Sequence, residues 1–199
     1  MKKYKLTNLH MQTYEGCQWE LNVQKTTLGN SHYLSNDQWL YYYHNPLLAV
    51  LFNPIYNNVT NPRLFEVKAL GKHLDNNGVK GGCTKLTLIK EIELPIITLN
   101  QKVAFGILCA LEVYENKDFI KWANNWLNDT DRTKESVNNI IDKYNTTYYA
   151  YVARNSYDAI TNTNPDDYVY SADAAAYINA SLIKKLNLVK LIQKAITYS

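Results

Sequence analysis

Apolar and polar residues alternate most clearly along residues 17–24, where polar side chains separate Cys17, Trp19, Leu21 and Val23. A period of two is typical of a strand with one buried face. The pattern therefore predicts one continuous strand here. Residues 1–12 show a weaker pattern and are predicted to form a short strand or arm before it.

The segment Trp39–Leu70 concentrates aromatic residues, aliphatic residues and Asn-Pro pairs, and is predicted to form the core of the N-terminal half. Its aromatic run Trp39–Tyr43 has the length of a strand. Asn45 then offers a helix N-cap before a proline at the first helical position, which predicts a short buried helix over Leu47–Phe52. Two further Asn-Pro pairs interrupt the chain, because the residue before proline avoids the helical region, and Arg63–Leu70 follows as a strand.

Residues 71–83, GKHLDNNGVKGGC, predict a turn-rich loop, because Asn-Gly and Gly-Gly pairs adopt positive φ at little cost. Lys85–Leu94 then alternates as a long strand. Lys90 would fall on its apolar face unless Ile89 and Lys90 form a bulge that shifts the alternation by one residue. Pro95 ends the β-rich half.

After Pro95 the pattern becomes helical. Thr98 and Gln101 have the spacing of a capping box, and the helix that they start, Leu99–Tyr114, is apolar almost all round, as buried helices are. Further helices are predicted over Phe119–Trp126, from about Arg132 to the polar stop at Thr161–Pro165, around Ser171–Ala180 and over Leu182–Ile196.

This order of elements, strands first and helices afterwards, predicts an α+β fold. Residues 1–96 are expected to form a small mixed or antiparallel sheet with one short helix. Residues 97–199 are expected to form a helical bundle that packs on this sheet.

Composition narrows the class of protein. The chain has 199 residues, 46% hydrophobic and 20% charged, as an ordinary globular protein does. A net charge of +3 without a basic stripe argues against a specific nucleic-acid partner. No segment approaches the roughly 20 apolar residues of a membrane span, and the basic N terminus lacks the apolar core of a signal peptide. Three distant cysteines favour reduced thiols, so we expect a cytosolic protein without a membrane partner.

Local motifs indicate no metal or cofactor. The four histidines, His10, His32, His44 and His73, lack the short spacings of zinc sites. The glycines of Gly78–Gly82 lack the Gly-Lys-Ser/Thr order of a phosphate loop and precede a predicted strand rather than a helix. No serine or cysteine has a recognisable base partner.

Glu91 and Glu93 form the candidate catalytic pair. They fall on one face of the predicted strand, and with Glu20 or Glu66 they would line a cleft as paired carboxylates. The alternative is that these carboxylates belong to a solvated strand surface.

Aromatic residues form the candidate binding surface, since tyrosine is enriched at interfaces. They are Trp39, Tyr41, Tyr42, Tyr43 and His44 in the N-terminal half, with Tyr144, Tyr148 and Tyr151 in the predicted long helix. Core packing is the alternative role for these side chains. Codon bias in an AT-rich genome explains the total of 17 tyrosines as readily as function does.

Five segments, CQWELNV, HNPLLAVLFNP, NPRLFEVKALGK, KLTLIKEIELP and QKVAFGILCALEVY, together resemble an uncharacterised family carried by bacteriophages and prophages. That family pairs a small β-rich domain of unknown function with a tail of Ala- and Tyr-rich helices. Asn, Thr and Tyr replace the long alanine tracts of that tail in this chain. The resemblance implies a phage accessory protein that acts on host machinery or host defence in the host cytoplasm.

The β-rich half is also similar, in the order of its elements, to ADP-ribosyltransferase-type folds. By this resemblance, Glu91 or Glu93 lies where that fold carries its catalytic glutamate.

The leading hypothesis is a non-enzymatic phage protein that binds, sequesters or inhibits a host protein or a small-molecule ligand. The absence of a nucleophile or metal motif and the abundance of tyrosine favour it. The alternative is an NAD- or nucleotide-handling enzyme that uses Glu91 or Glu93 beside the Gly-rich loop. A structural component of the virion is a third hypothesis. No cofactor is expected, and the formation of a homo-oligomer is left open.

Overall fold

The structure is a computed structural model that describes residues 2–34, 37–53, 57–76, 78–144 and 186–198. The chain divides into two compact units, residues 1–96 and 97–199. An antiparallel sheet lies in the N-terminal part and the helices follow later in the chain, so the predicted α+β class is confirmed. The predicted packing of the helices on the sheet stays a prediction.

The first unit is built from short strands around one long hairpin. Its described elements are β1 (Lys3–Thr7), β2 (Gln12–Thr13), β3 (Cys17–Gln18), β4 (Gln24–Thr26), β5 (Leu40–Tyr42), helix α1 (Pro46–Leu51), β6 (Arg63–Asn76) and β7 (Lys80–Ile92). Strands β1, β6, β7 and β4 are neighbours in that order, and β5 also pairs with β7. All these pairs are antiparallel.

The strands β1, β6, β7 and β5 close into a ring. Tyr43, directly after β5, exchanges two backbone hydrogen bonds of 2.7 and 2.9 Å with Tyr4 of β1. The interior of this ring contains a buried apolar cluster, whose members are Trp19, Tyr42, Phe65, Val67, Cys83, Leu86 and Leu88. Closure matters for function because it brings β1, β5 and the far end of β6 together.

The short helix α1 confirms the signal at the first Asn-Pro pair. Asn45 has an extended backbone, and its side chain accepts a hydrogen bond of 2.8 Å from the amide of Leu47, while Pro46 occupies the first turn. Both features are typical of helix starts. The helix buries Leu48 and Leu51 and contacts β1.

The predicted loop over residues 71–83 is wrong, because most of this segment belongs to the β6–β7 hairpin. Gly71 has a φ of +84° and lies at a bulge between Leu70 and His73. Gly81 and Gly82 lie inside β7, where large side chains cover their backbone. Glycine signals a turn and a closely covered strand equally well, so the local sequence could not separate the two.

The predicted bulge near Lys90 is confirmed. Glu66 of β6 lies opposite Lys90, whereas the next residue, Val67, lies opposite Leu88. Ile89 is therefore the extra residue, and its side chain is exposed. The bulge turns Lys90 away from the core. On the outer face its ammonium lies 3.5 Å from a carboxylate oxygen of Glu66.

The continuous strand predicted over residues 17–24 is wrong. Only Cys17 and Gln18 form β3, and the next strand begins at Gln24. Asn22 interrupts the segment with a φ of +62°. Trp19 points into the core, but Leu21 and Val23 are 41% and 46% exposed. An alternating pattern therefore concealed a turn, which asparagine tolerates better than most residues.

The second unit contains four described helices, α2 (Leu99–Leu111), α3 (Lys117–Leu127), α4 (Lys134–Lys143) and α5 (Leu188–Ala195). The capping box of Thr98 and Gln101 is confirmed, and α2 is buried over Val103–Ala110 as its pattern predicts. It contacts α5 and α3. None of the helices in the described part of the chain is long and apolar enough to cross a membrane.

Some predicted helices end at other residues than those observed, and parts of others lie outside the described residues. Helix α2 stops at Leu111 rather than Tyr114. The predicted helix from Arg132 is described only as Lys134–Lys143. The remainder of that helix beyond Tyr144, the Ala-rich helix around Ser171–Ala180, and residues 182–185 lie outside the described residues.

Candidate functional site

Strand β1 places two lysines on the interior face of the ring. Lys3 lies opposite Val67 and Lys5 opposite Phe65, and directly opposed residues of antiparallel strands share a face. The ammonium of Lys3 lies 4.9 Å from the centroid of the Tyr42 ring. This distance is that of a cation–π contact, so Lys3 is held against the aromatic interior.

Lys5 is the more deeply buried of the two, with 7% of its surface exposed. Its ammonium donates a hydrogen bond of 3.0 Å to the carbonyl of Tyr41 and lies 4.6 Å from the Trp19 ring centroid. Burial lowers the pKa of Lys5 to about 8. A buried ammonium is costly unless it is well paired, and lysine is almost never found in this position without a partner.

A third lysine completes what we call the lysine–aromatic cluster, namely Lys3, Lys5, Lys25, Trp19 and Tyr42. Lys25 lies opposite the buried Leu86, and its ammonium is 5.6 Å from the Trp19 ring centroid. Within the described residues, no carboxylate forms an ion pair with any of these three lysines. The cluster is therefore a concentration of positive charge without a direct ion pair in this part of the chain, although Asp75 acts on Lys3 from beyond His44.

The charge of the chain is concentrated in the same unit. Residues 1–96 hold 10 Lys and Arg side chains against 7 Asp and Glu, whereas residues 97–199 hold 11 of each. The whole formal charge of +3 thus belongs to the first unit. Such an asymmetry favours anions near this unit over long distances at low ionic strength.

Lys3 also belongs to a chain of three polar groups that we call the His44 relay, namely Lys3, His44 and Asp75. His44 Nδ1 lies 2.5 Å from Lys3 Nζ, and His44 Nε2 lies 2.6 Å from Asp75 Oδ2. The amide of Gly78 donates a hydrogen bond of 2.7 Å to the other oxygen of Asp75. The hydrogen bond from His44 holds the pKa of Asp75 below its usual range, so Asp75 is ionised.

Tyr42 lies between this relay and a second histidine. Its ring meets the His44 ring edge-on at a centroid distance of 5.4 Å, and its hydroxyl lies 3.2 Å from His73 Nδ1. Burial raises the pKa of Tyr42 to about 12. The phenol therefore stays neutral and can exchange hydrogen bonds with His73 at neutral pH.

An open cleft of about 700 Å³ lies beside this region. His73 lines the cleft as well as bonding to Tyr42, and Trp39 and Lys72 form other parts of its wall. A volume of this size suits a small-molecule ligand. No group of three or more His, Cys, Asp or Glu side chains among the described residues is arranged to hold a metal ion.

The position of Tyr42 depends on a glycine. Tyr42 lies directly opposite Gly81 of β7, and a Cβ atom on Gly81 would overlap Cζ and Oη of the phenol. We expect Gly81→Ala to displace the Tyr42 ring and to lower the free energy of unfolding by about 1–3 kcal/mol, the usual cost of overpacking a core. Urea denaturation followed by circular dichroism measures the loss.

The matched control for this prediction is Tyr42→Leu, which removes the overlapping atoms. In the Tyr42→Leu background, Gly81→Ala should cost less than about half of its effect in the wild type, since the two positions are in contact. If Gly81→Ala lowers the free energy of unfolding equally in both backgrounds, the position of the Tyr42 ring does not depend on the absence of a side chain at Gly81.

The aromatic residues of the N-terminal half that were predicted to form a binding surface are largely buried. Trp39, Tyr42 and Tyr43 are 6%, 4% and 3% exposed. Tyr43 accepts a hydrogen bond of 2.9 Å from Asn57, and burial raises its pKa. Tyr41 is half-buried and donates its hydroxyl hydrogen to the carbonyl of Leu34. The roles of these residues in ligand binding stay predictions.

Glu91 and Glu93 do not meet the cluster. The two carboxylate oxygens of Glu91 lie 2.8 and 2.5 Å from Nε and Nη2 of Arg63, a bidentate pair that lowers the pKa of Glu91. Glu93 is exposed and follows the last residue of β7. Such a geometry, in which an arginine holds an ionised glutamate, is typical of a structural ion pair at the protein surface. A catalytic role for Glu91 and Glu93 stays a prediction.

Tyr144 lies at the end of α4 and bonds to the start of α3. Its hydroxyl donates to Asn116 Oδ1 at 2.9 Å, and Asn116 is the N-cap of α3. Tyr144 thus connects two helices, and its role as a binding residue stays a prediction. Tyr148 and Tyr151 lie outside the described residues.

The local sequence identifies His44 as a candidate but gives no sign of its partners. Lys3 is 41 residues from His44 and Asp75 is 31 residues from it, so no local motif contains them. The one available signal was the alternation of β1, in which Lys3 and Lys5 share a face. That face was not recognisable as interior, because lysine on a strand normally faces water.

The first unit therefore combines a lysine–aromatic cluster that has no direct ion pair among the described residues, a histidine held between a lysine and a carboxylate, and an adjoining cleft. Most of these groups come from β1, β4, β5 and the distal end of β6, while Trp19 follows β3 and His44 follows β5. The closed ring brings β1, β5 and β6 together. No protein-family model, no curated protein and no solved structure matches the chain.

Proposed function

We propose that the N-terminal unit binds a small anionic ligand, such as a phosphate- or carboxylate-bearing metabolite. The observation that carries this proposal is the lysine–aromatic cluster. Three ammonium groups lie within 5.6 Å of aromatic ring centroids, and no described carboxylate forms an ion pair with them. A bound anion would supply the direct ion pair that the described carboxylates do not give these ammonium groups.

The energetics support a ligand rather than a purely structural role for the lysines. Cation–π contacts are worth about 0.5–2 kcal/mol each. Removing an ammonium from water costs several kcal/mol, so aromatic contacts alone do not offset the burial of Lys5. A bound anion would supply the missing compensation through charge-assisted hydrogen bonds.

The geometry also favours binding over catalysis by the predicted glutamates. Glu91 is occupied by Arg63 and, like Glu93, it does not line the cleft beside the cluster. His73 lines that cleft and bonds to Tyr42, which connects the cleft with the cluster. A ligand with an anionic group and a polar body would therefore be held by both.

The biological setting of the proposal comes from the family resemblance. A phage accessory protein in the host cytoplasm that sequesters a small anionic metabolite would deprive a host or defence process of that metabolite. The protein in this proposal acts by holding the ligand.

The test is isothermal titration calorimetry with inorganic pyrophosphate and, separately, with NAD at low ionic strength. We expect at least one of them to bind. Lys3→Gln and Lys25→Gln should weaken binding at least about tenfold, which corresponds to about 1.4 kcal/mol.

The matched controls are Lys2→Gln and Lys90→Gln, which remove the same charge from lysines that lie beside Glu66. These variants should change the affinity less than about twofold. Equal losses in all four variants would show a general effect of charge and contradict a site at the cluster. The absence of binding by both compounds would also count against the proposal.

A further inference from the structure

Lys2 and Lys3 are adjacent in sequence but have opposite environments. Lys2 is 65% exposed and its ammonium donates to Glu66 at 2.7 Å, which raises its pKa. Lys3 turns to the interior face, and burial lowers its pKa. A lysine in the second environment releases its proton more readily and becomes a better nucleophile.

The His44 relay provides a base for that proton. Asp75 is ionised and accepts a hydrogen bond, so the nitrogen that faces it, His44 Nε2, carries the hydrogen of the neutral ring. His44 Nδ1 then presents its lone pair to Lys3 Nζ at 2.5 Å. The carboxylate stabilises the imidazolium that forms when His44 takes a proton, which is the arrangement of a nucleophile, a base and an orienting acid.

We propose that Lys3 is an amine nucleophile that forms an imine with a small aldehyde or ketone, with His44 as its general base and Asp75 as the residue that positions His44. This activity would be separate from the reversible binding of anions and does not require it. The carbonyl compound is the substrate class that a deprotonated lysine beside a proton carrier recognises by its chemistry.

The proposed reaction is balanced without an oxidant or reductant. Lys3 first passes one ammonium proton to His44 Nδ1, which frees the lone pair of Nζ. The lone pair forms a bond to the carbonyl carbon, the carbonyl π electrons move to oxygen, and His44 returns the proton to that oxygen. His44 then carries a second proton from nitrogen to the hydroxyl group, which leaves as water. One lysine ammonium and one carbonyl thus give one protonated imine and one water.

The groups around Lys3 are consistent with this role. His44 and Tyr42 face it from β5 and the residue pair that follows, and Asp75 faces it from β6. Lys5 lies two residues further along the same face of β1. Burial lowers the pKa of Lys3, while the charge of Asp75 opposes this shift, and the contact of His44 Nδ1 with Lys3 Nζ gives the released proton an acceptor.

The experiment is reductive trapping on the full chain with propanal and sodium cyanoborohydride at pH 7. Peptide fragmentation in a mass spectrometer then measures propylation at each lysine. Propanal is neutral, so the result does not depend on anion binding. We expect Lys3 to react at least about tenfold faster than Lys2 or Lys90, and its pH profile to have a lower midpoint than theirs.

Two variants identify the parts of the relay. His44→Gln should reduce the rate at Lys3 to that of Lys2, and Asp75→Asn should move the midpoint of the Lys3 pH profile. The wild-type ratio of Lys3 to Lys2 tests the proposal even if these variants fold poorly. A ratio near one, or a pH profile for Lys3 that matches that of Lys2, would overturn it.

Discussion

Lys5→Met is expected to make the first unit more stable at pH 7 by about 3 kcal/mol. Methionine fills much of the volume of the lysine stem but carries no charge to bury. The lysine has a pKa of about 8 in the folded protein and 10.5 as its ordinary value. This difference corresponds to a penalty of about 3 kcal/mol for the folded state whenever Lys5 is protonated.

The pH dependence gives the sign of the effect. Between pH 8 and 10.5 the unfolded chain still holds the Lys5 proton and the folded chain has released it, so folding becomes more favourable as the pH rises. The advantage of Lys5→Met should therefore be complete below pH 8 and should disappear by about pH 10.5. Other groups, such as Tyr42, titrate in both proteins and cancel in the difference.

Native-state hydrogen exchange of amides in β6 and β7 measures this difference across the pH range. Lys2→Met is the control and should change stability by less than about 0.5 kcal/mol, as exposed substitutions usually do. If Lys5→Met also weakens the binding of pyrophosphate, then Lys5 lowers stability in return for ligand affinity. A less stable Lys5→Met protein would show that the ammonium is already compensated.

Phe65→Ala is expected to lower the free energy of unfolding of the first unit by about 3–5 kcal/mol, the usual cost of removing a buried phenylalanine ring. Phe65 is fully buried and lies opposite Lys5 on one side and Glu91 on the other. Its loss would leave a cavity between β1 and β7 that a closed ring of strands cannot easily collapse.

Hydrogen exchange of the β6 and β7 amides measures this loss as well. Leu70→Ala on the same strand is the matched control, since Leu70 is 41% exposed and should cost less than about 1 kcal/mol. Similar costs for the two substitutions would mean that Phe65 is not at the centre of the core.

Elements with a strong local signal could be predicted from the sequence. Asn45 before Pro46 marked the start of α1, and Thr98 with Gln101 marked the start of α2. The bulge at Ile89 followed from one misplaced lysine. In each case the information lies within one short segment of chain, and the signal is a capping hydrogen bond or an alternation of apolar and polar residues.

The site could not be predicted in the same way. His44 joins Lys3 and Asp75 only because Tyr4 and Tyr43 close the ring, and nothing in the segments themselves encodes that contact. The local sequence assigns Gly81 to a loop for a related reason, because its place in β7 depends on the ring of Tyr42, which is distant in sequence. Residues whose function depends on non-local packing carry an ambiguous local signal.

The extra residue Ile89 has a consequence for how this chain can change over time. Leu88 and the earlier residues of β7 stay on the same faces of the strand whichever side chain occupies position 89. Substitutions of Ile89 are therefore tolerated. Loss of the residue altogether would leave Leu88 opposite Val67 and Lys90 opposite Glu66, so the ladder would become regular and Lys90 would keep its outward direction. Descendants of this sequence should therefore tolerate substitution of this residue and also its deletion, whereas deletion of a paired neighbour such as Leu88 would place a different side chain in the core.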